Sequence, residues 1–372
     1  MKYTSSLIMK LPRAPAVTYR VMIGNGLFQQ LPDILSKLRP VSRYVIITDS
    51  VVKKIYGVEL CAALRSAGLR VDLLSLPAGE KNKNEKTHSA LLHGMLRKKC
   101  GRDTMILALG GGVVGDIAGY VAAVYMRGIP YVQIPTSFLA MVDSSLGGKV
   151  GVDTEFGKNL IGAFWHPDAV IADVDFLDSL SREQLISGLM EAVKIFLTYD
   201  KKYFELVCRQ WDLILKKDSK FLRSVISRAI ELKIGVVQRD EHESNERMVV
   251  NFGHTIGHAI EQLSGYTILH GYGVALGVLV ESKMAHLMGA LSEKDFLTVR
   301  DAMRRFGIDE RFIRRFSVSN ILKQTLIDKK SRNNKIRYVL LERIGKAMTK
   351  RGIFGHEVDI NIVRQALYFF HQ

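Results

Sequence analysis

Along the first half of the chain, short apolar runs alternate with longer stretches in which apolar positions recur every three or four residues. Residues 18–23 (TYRVMI), 43–48 (RYVIIT), 70–76 (RVDLLSL), 104–109 (TMILAL), 130–134 and 169–172 (AVIA) read as strands, and stretches near 51–66 and 85–99 as amphipathic helices. Strands alternating with helices imply a mainly parallel sheet with helices on both faces. After about residue 178 the pattern changes. Apolar residues keep helical spacing through 182–198, 202–215, 220–238, 249–263, 273–288 and 293–305, and strand signals nearly vanish until 336–341 (IRYVLL). The chain is therefore expected to form an α/β domain over residues 1–177 and a mostly α-helical domain over 178–372, with a site in the cleft between them.

Composition narrows the class. The 372 residues are 47% hydrophobic, enough for sizeable cores. No run of 18 or more apolar residues appears, so no membrane span is expected. The N-terminal apolar patch SSLIM is too short for the core of a signal peptide. Cys61, Cys100 and Cys208 are widely spaced, odd in number and without a CxxC motif, which fits a reducing cytoplasm and excludes a Cys-ligated zinc. The net charge of +16 raises the question of nucleic acid, but the basic residues are scattered. An anionic small substrate accounts better for them, so no nucleic-acid partner is expected.

Residues 247–270 (RMVVNFGHTIGHAIEQLSGYTILH) carry the strongest chemistry. Asn251, His254 and His258 are spaced i, i+3, i+7, which on one helix places them on one face. Gly253 and Gly257 lie between them. Mid-helix glycines cost roughly 1 kcal/mol each, so close packing or ligand approach is implied. An HxxxH pair can be ordinary surface or core histidines, but His270 and the upstream Glu191–Lys194 pair add to it. Two histidines, a carboxylate and open positions suit a catalytic zinc. Spacing alone points to His254 and His258 as the ligand pair. HExxH is absent, which argues against peptide hydrolysis.

Two other stretches bear on ligands. In TMILALGGGVVGD, Gly110, Gly112 and Gly115 match GxGxxG after a strand and at the opening of a helix, the context in which backbone N–H groups meet a pyrophosphate. A plain βα turn is the simpler reading. Asp49, at the end of an earlier strand, could accept a ribose hydroxyl, and Glu80 and Lys83 could contact ribose or adenine. In residues 125–162, Arg127, Asp143, Lys149, Lys158 and Asn159 stand among six glycines. Lysine and arginine suit phosphate and carboxylate, and glycine beside charge suggests backbone making room for a ligand.

Taken together, the long block from Gly110 to Phe164, SGLMEAVK and NFGHTIGHAIE closely resemble the 3-dehydroquinate synthase family, with the motifs in the family's order from about residue 20 to beyond 340. The resemblance implies a Rossmann-like dinucleotide-binding domain followed by a helical metal-binding domain, usually in a homodimer. It implies a divalent metal, Zn2+ or Co2+, held by Glu191, His254 and His270, which moves His258 to the substrate side. It implies NAD+ bound by Asp49, Glu80, Lys83, Gly111, Gly112, Asp116, Thr136 and Ser137, with Asp143, Lys149 and Lys158 alongside. Substrate would be held by Asp143, Lys149, Asn159, Lys194, Lys233, Arg247, Asn251 and His258, with Arg127 from the neighbouring subunit and Lys330 adding contacts. Met190, Asn245, Tyr272, Gly273, Ser179 and Ser181 depart from the family's usual residues, and none removes a proposed ligand.

The implied reaction converts 3-deoxy-D-arabino-heptulosonate 7-phosphate to 3-dehydroquinate and phosphate. It runs through transient oxidation by NAD+, phosphate elimination, re-reduction, ring opening and intramolecular aldol closure, with no net redox. The rivals are another sugar-phosphate cyclase, a metal-dependent alcohol dehydrogenase and a basic nucleic-acid-binding protein.

Overall fold

The computed structural model describes residues 16–327 and 336–372. Six strands form one wholly parallel sheet in the order β1-β8-β5-β4-β2-β3. They are β1 (Arg20–Gly24), β2 (Arg43–Asp49), β3 (Val71–Leu76), β4 (Thr104–Gly110), β5 (Tyr131–Pro135) and β8 (Ala169–Asp173). The helices α1 (Leu31–Ser36), α2 (Ser50–Val52), α3 (Val58–Ser66), α4 (Glu85–Arg97) and α5 (Gly112–Val124) connect them. Side chains alternate across a strand, so each central strand serves two cores. Ile46, Leu107 and Val132 face a core that runs on into the helical half, joining Leu185, Leu189 and Phe196. Val45, Ile106 and Tyr131 face a second core, closed by Leu91, Met95, Val114 and Ile117 of α4 and α5.

An antiparallel hairpin, β6 (Lys149–Thr154) and β7 (Gly157–Phe164), packs on α5. The sequence pattern registered its glycines and charges but not its strands. Most of β7 is exposed, so no buried periodicity marks it. Gly151 and Gly162 oppose each other across the pair. A Cβ on Gly162 would lie 2.2 Å from the Val150 carbonyl oxygen.

The helical half comprises α6 (Arg182–Tyr199), α7 (Lys201–Arg209), α8 (Trp211–Leu215), α9 (Ser219–Arg239), α10 (His254–Leu263), α11 (His270–Leu287), α12 (Glu293–Arg305), α13 (Val318–Ile327) and α14 (Ile360–Phe369), with a small ribbon of β9 (Leu341–Arg343) and β10 (Lys346–Ala347). The expected junction at 177–178 falls in the turn Val174–Ser179, between β8 and α6. Among the described residues, no helix is long and apolar enough to cross a membrane.

Three expectations need correction. The single helix expected over 249–263 is two elements: a 3-10 turn, Glu246–Asn251, and α10, which starts at His254. Gly253 breaks them apart with a left-handed φ of 80°, and its N–H donates to the buried Glu281 carboxylate at 2.8 Å. Asn251 therefore does not share a helical face with the two histidines, and Gly253 is a cap, not a mid-helix residue. The helix expected over 202–215 is broken at Gln210 between α7 and α8. The strand expected over 336–341 pairs as β-structure only at the Tyr338–His356 bridge and from Leu341 onward. Its apolar run fills the core, where Tyr338, Val339, Leu340 and Leu341 are buried.

Candidate active site

A cavity of about 760 Å3 opens at the carboxyl end of the sheet, bounded by the glycine turn, the hairpin and helices α9 and α10. Glycine shapes its walls. Gly111 is the extended cap of α5, and a Cβ on Gly110 would meet the Val114 side chain at 2.6 Å. Gly112 and Val113, the first residues of α5, line the cavity, so a helix N-terminus borders it, as suits an anionic pyrophosphate.

At the other end lie three imidazoles. His254 and His258 stand one turn apart on α10, and His270 is the first residue of α11. Their ring centroids are 5.2–5.7 Å apart, and one ring nitrogen of each lies within 4.8 Å of those of the others. Beneath them is Glu191 of α6, fully buried. Its Oε1 lies 3.3 Å from Nε2 of His270 and 3.8 Å from Nε2 of His254, and it has no hydrogen bond of good geometry. Its Oε2 accepts from Lys194.

Three backbone contacts bring these groups together. A Cβ on Gly271 would lie 1.8 Å from the Ser187 carbonyl oxygen, one on Gly277 1.8 Å from that of Gly253, and one on Gly257 2.7 Å from that of Gly273. Helices α6, α10 and α11 therefore touch backbone to backbone, which only glycine permits there.

The electrostatics fit a cation. Burial would raise the Glu191 carboxyl, but Lys194, His254 and His270 outweigh it and hold it well below the usual carboxylate range. Burial, with Lys194 nearby, pushes His254 well below the usual imidazole value and leaves it neutral with a free lone pair. His270 sits between Glu191 and Glu261, which overcome its burial and raise it to about 10 in the absence of metal. A buried, unbonded carboxylate oxygen facing neutral imidazole nitrogen is an N/O donor set suited to zinc or cobalt. Glu191, His254 and His270 therefore fit a metal, and His258 lies near enough to belong to the same cluster.

The cations around the cavity are engaged with protein partners. Lys233, buried, donates to Asp143 at 2.6 Å and also to its carbonyl. Burial lowers the Lys233 ammonium, and Asp143 opposes this. Lys83 bonds Asp116 and Asn159, each at 2.5 Å. Lys149 pairs with Glu243, which also accepts from Asn251. Arg247 lines the cavity, but its guanidinium donates to the carbonyls of Gly147, at 3.1 Å, and Glu241.

Most sequence-derived candidates converge here. Glu80, Lys83, Gly112, Asp116, Ser137, Asp143, Lys149, Lys158, Asn159, Lys233, Arg247, Asn251, His254, His258 and His270 line the cavity, with Glu191 and Lys194 beneath. Others stand apart. Asp49 caps α2, accepting from Val51 and Val52, and Thr136 is buried with its N–H on Gly110. Arg127 is exposed, with a φ of 67°, and does not line the cavity of its own chain. Lys330 lies outside the described residues.

Two of the departures from the family pattern have local explanations. Ser181 forms a capping box with Gln184 at the start of α6, and Asn245 donates to the Gly352 carbonyl at 2.8 Å. Sequence reasoning missed Glu261 and Glu243. Glu261 follows His254 and His258 at helical spacing, a signal that was present. Glu243 reaches the site from an irregular loop, where no pattern marks it.

Comparison with known proteins gives these features a setting. Family models described as 3-dehydroquinate synthase, N-terminal and C-terminal, match residues 73–187 and 188–331. The 3-dehydroquinate synthase of Thermodesulfovibrio yellowstonii is 40% identical over 342 residues, 92% of this chain and 95% of that protein. That of Buchnera aphidicola subsp. Baizongia pistaciae is 40% identical over 329 residues, 88% and 92% of the two chains. Among solved structures, 2-epi-5-epi-valiolone synthase from Streptomyces hygroscopicus subsp. jinggangensis, with NAD+ and Zn2+ bound, aligns with a TM-score of 0.87 at 26% identity over 97% of this chain and 99% of that one. A 2-deoxy-scyllo-inosose synthase complexed with carbaglucose-6-phosphate, NAD+ and Co2+ aligns at 0.85 and 25% identity over 94% and 96%. An NADH-dependent butanol dehydrogenase from Thermotoga maritima, 15% identical with a TM-score of 0.67 over 97% and 99%, shares the fold alone.

Proposed function

This chain belongs to the 3-dehydroquinate synthase family, and from that premise we infer that it converts 3-deoxy-D-arabino-heptulosonate 7-phosphate to 3-dehydroquinate and phosphate, as a carbon–oxygen lyase. One observation carries the reading. The unbonded Oε1 of Glu191 faces His254 and His270, which cluster with His258 in the cavity that also holds the glycine turn and a ring of cations. A bound metal supplies Lewis-acid polarisation of substrate hydroxyls, and NAD+ supplies transient hydride acceptance and return.

The protein's own residues do the rest. Glu191, His254 and His270 would hold the metal, and the glycine turn with Asp116, Lys83 and Glu80 would cradle the dinucleotide. Lys149, at the hairpin, is held by Glu243, and a phosphate dianion entering the cavity would take that carboxylate's place. Lys194 forms an ion pair with Glu191 and keeps the carboxylate ionised. His258 would move a proton at the C5 oxygen, and Asn251 lines the same cavity. The Lys233–Asp143 pair fixes the cavity wall between the glycine turn and α9.

The reading includes a homodimer and a cytoplasmic setting. Arg127, exposed and outside its own cavity, would serve the partner's phosphate site. Phe156 (81% exposed) and Ile161 leave apolar side chains of the hairpin exposed, as such a contact would use. The three cysteines are free, as a reducing compartment requires.

The test is phosphate release by zinc-loaded protein given the heptulosonate phosphate and catalytic NAD+, with nicotinamide absorbance followed in parallel. Phosphate without NADH build-up is the expected result. Release from another sugar phosphate but not from this one would move the assignment to a sister cyclase. NADH build-up with phosphate retained would move it to a dehydrogenase.

A further inference from the structure

Glu261 has no part in the scheme above, yet it is 2% exposed and lies at the junction of the two ligand sites. Its Oε1 is 2.9 Å from Nδ1 of His270. The opposite ring nitrogen of His270 faces Glu191. A metal-binding imidazole must present a lone pair on one nitrogen and carry its hydrogen on the other, and the acceptor at the far nitrogen fixes which is which. Glu261 is that acceptor. Gly273 makes room for it: a Cβ there would stand 2.8 Å from Cγ and 2.9 Å from Oε1 of Glu261.

The second oxygen of Glu261 points the other way. Its Oε2 is 3.5 Å from Nζ of Lys158, and that same ammonium is 3.2 Å from Oε1 of Glu80 and lies over the Tyr266 ring at 4.6 Å. Lys158 belongs to the hairpin, which is fastened to the loop carrying Glu80 and Lys83. Asp153 N–H donates to the Lys83 carbonyl at 2.8 Å, and Lys83 Nζ donates to Asn159 at 2.5 Å. One ammonium is thus shared between a carboxylate of the dinucleotide loop and a carboxylate bonded to a metal-ligand histidine. With a dication on His270, Glu261 would be drawn more strongly onto the imidazole and would hold Lys158 less, leaving that ammonium available to the anionic pyrophosphate of a dinucleotide.

We propose that Glu261 positions His270 for the metal, and that Lys158, shared between Glu261 and Glu80, makes metal and dinucleotide binding mutually favourable. The proposal rests on the two sites assigned above. Because linkage is reciprocal, NAD+ raises zinc affinity by the same factor by which zinc raises NAD+ affinity, at least about 5-fold.

The experiment measures both affinities in the full-length protein: Zn2+ by competition with a chromophoric chelator, with and without saturating NAD+, and NAD+ by calorimetry, metal-free and zinc-loaded. In Lys158→Met the factor collapses to about one, and in Lys158→Arg it is retained, because the shared charge is what carries it. Glu261→Ala and the isosteric Glu261→Gln each lose about 10- to 100-fold in zinc affinity, with circular dichroism unchanged. A factor of one in the wild type, or an undiminished factor in Lys158→Met, overturns the linkage. Unchanged zinc affinity in folded Glu261→Gln overturns the positioning role. Failure of the wild type to bind Zn2+ or NAD+ at all would instead overturn the assignment of the sites, and this proposal with it.

Discussion

Gly271→Ala tests whether helix contact builds the metal site. The glycine follows His270 at the start of α11, and its N–H donates to Ser187 Oγ at 3.0 Å. An added Cβ would stand 1.8 Å from the Ser187 carbonyl oxygen and 2.5 Å from its carbon. Both clashes are with backbone, so no rotamer relieves them. Contacts of this kind do not close below about 3.0 Å, so α11 and α6 must part by at least about 1.2 Å. Ser187 lies one turn before Glu191 on α6, and Gly271 lies next to His270, so the same displacement pulls Glu191 away from His270. Metal–ligand distances tolerate only about 0.2 Å. Zinc affinity should therefore fall at least as far as it does on losing an outer-shell partner, about 10- to 100-fold or more. Overpacking and the strained bond to Ser187 should together cost about 1–3 kcal/mol of stability. Chelator competition on the purified variant gives the first number and urea unfolding the second. Gly235→Ala is the control. It lies inside α9, its Cβ would meet only the flexible end of Arg239 at 3.2 Å, and it should leave zinc affinity unchanged. A folded Gly271→Ala protein with wild-type zinc affinity would refute the claim that backbone contact sets the ligand geometry.

Three further outcomes are expected. His258→Ala should lose about 10²- to 10⁴-fold in turnover while still binding zinc, and loss of zinc by metal analysis would place His258 among the ligands. Lys149→Met should lower kcat/KM for the phosphorylated substrate by about 10- to 100-fold, the worth of one charge-assisted bond, and an unchanged value in steady-state kinetics would remove Lys149 from the phosphate site. The Asp240 carboxylate accepts from the N–H groups of Asn245 (2.7 Å), Ser244 (2.8 Å) and Arg247 (3.0 Å), which outweigh its burial and hold it far below the usual range. Its stabilisation is therefore present above the unfolded-state value near about 4 and is lost as pH falls below it, so Asp240→Asn should cost about 1.5–3 kcal/mol at neutral pH and progressively less in acid. Urea unfolding of both proteins across that range checks the convergence.

The legible parts of the molecule share a cause. A parallel strand covered on both faces must be apolar throughout, so β2 and β4 announce themselves in RYVIIT and TMILAL. The glycine turn is readable because strand, glycines and helix are contiguous. Glu191 with Lys194, and His254 with His258, are readable because one helical turn brings them together. The hairpin was not readable, since β7 exposes most of its residues. Nor was the break before α10, because Gly253 owes its conformation to Glu281, which reaches it from a different helix.

The sequence by itself determined the two-part architecture, the turn for an anionic ligand and the types of residue that could hold a metal. All of these follow from side chains within a turn or a strand of one another. Only the tertiary structure decided that Glu191 faces His270, that Glu261 lies behind it, and that Lys158 is shared between two sites. Those relations depend on how closely three helices and a hairpin approach, and that approach is set by glycine backbones in contact across the fold.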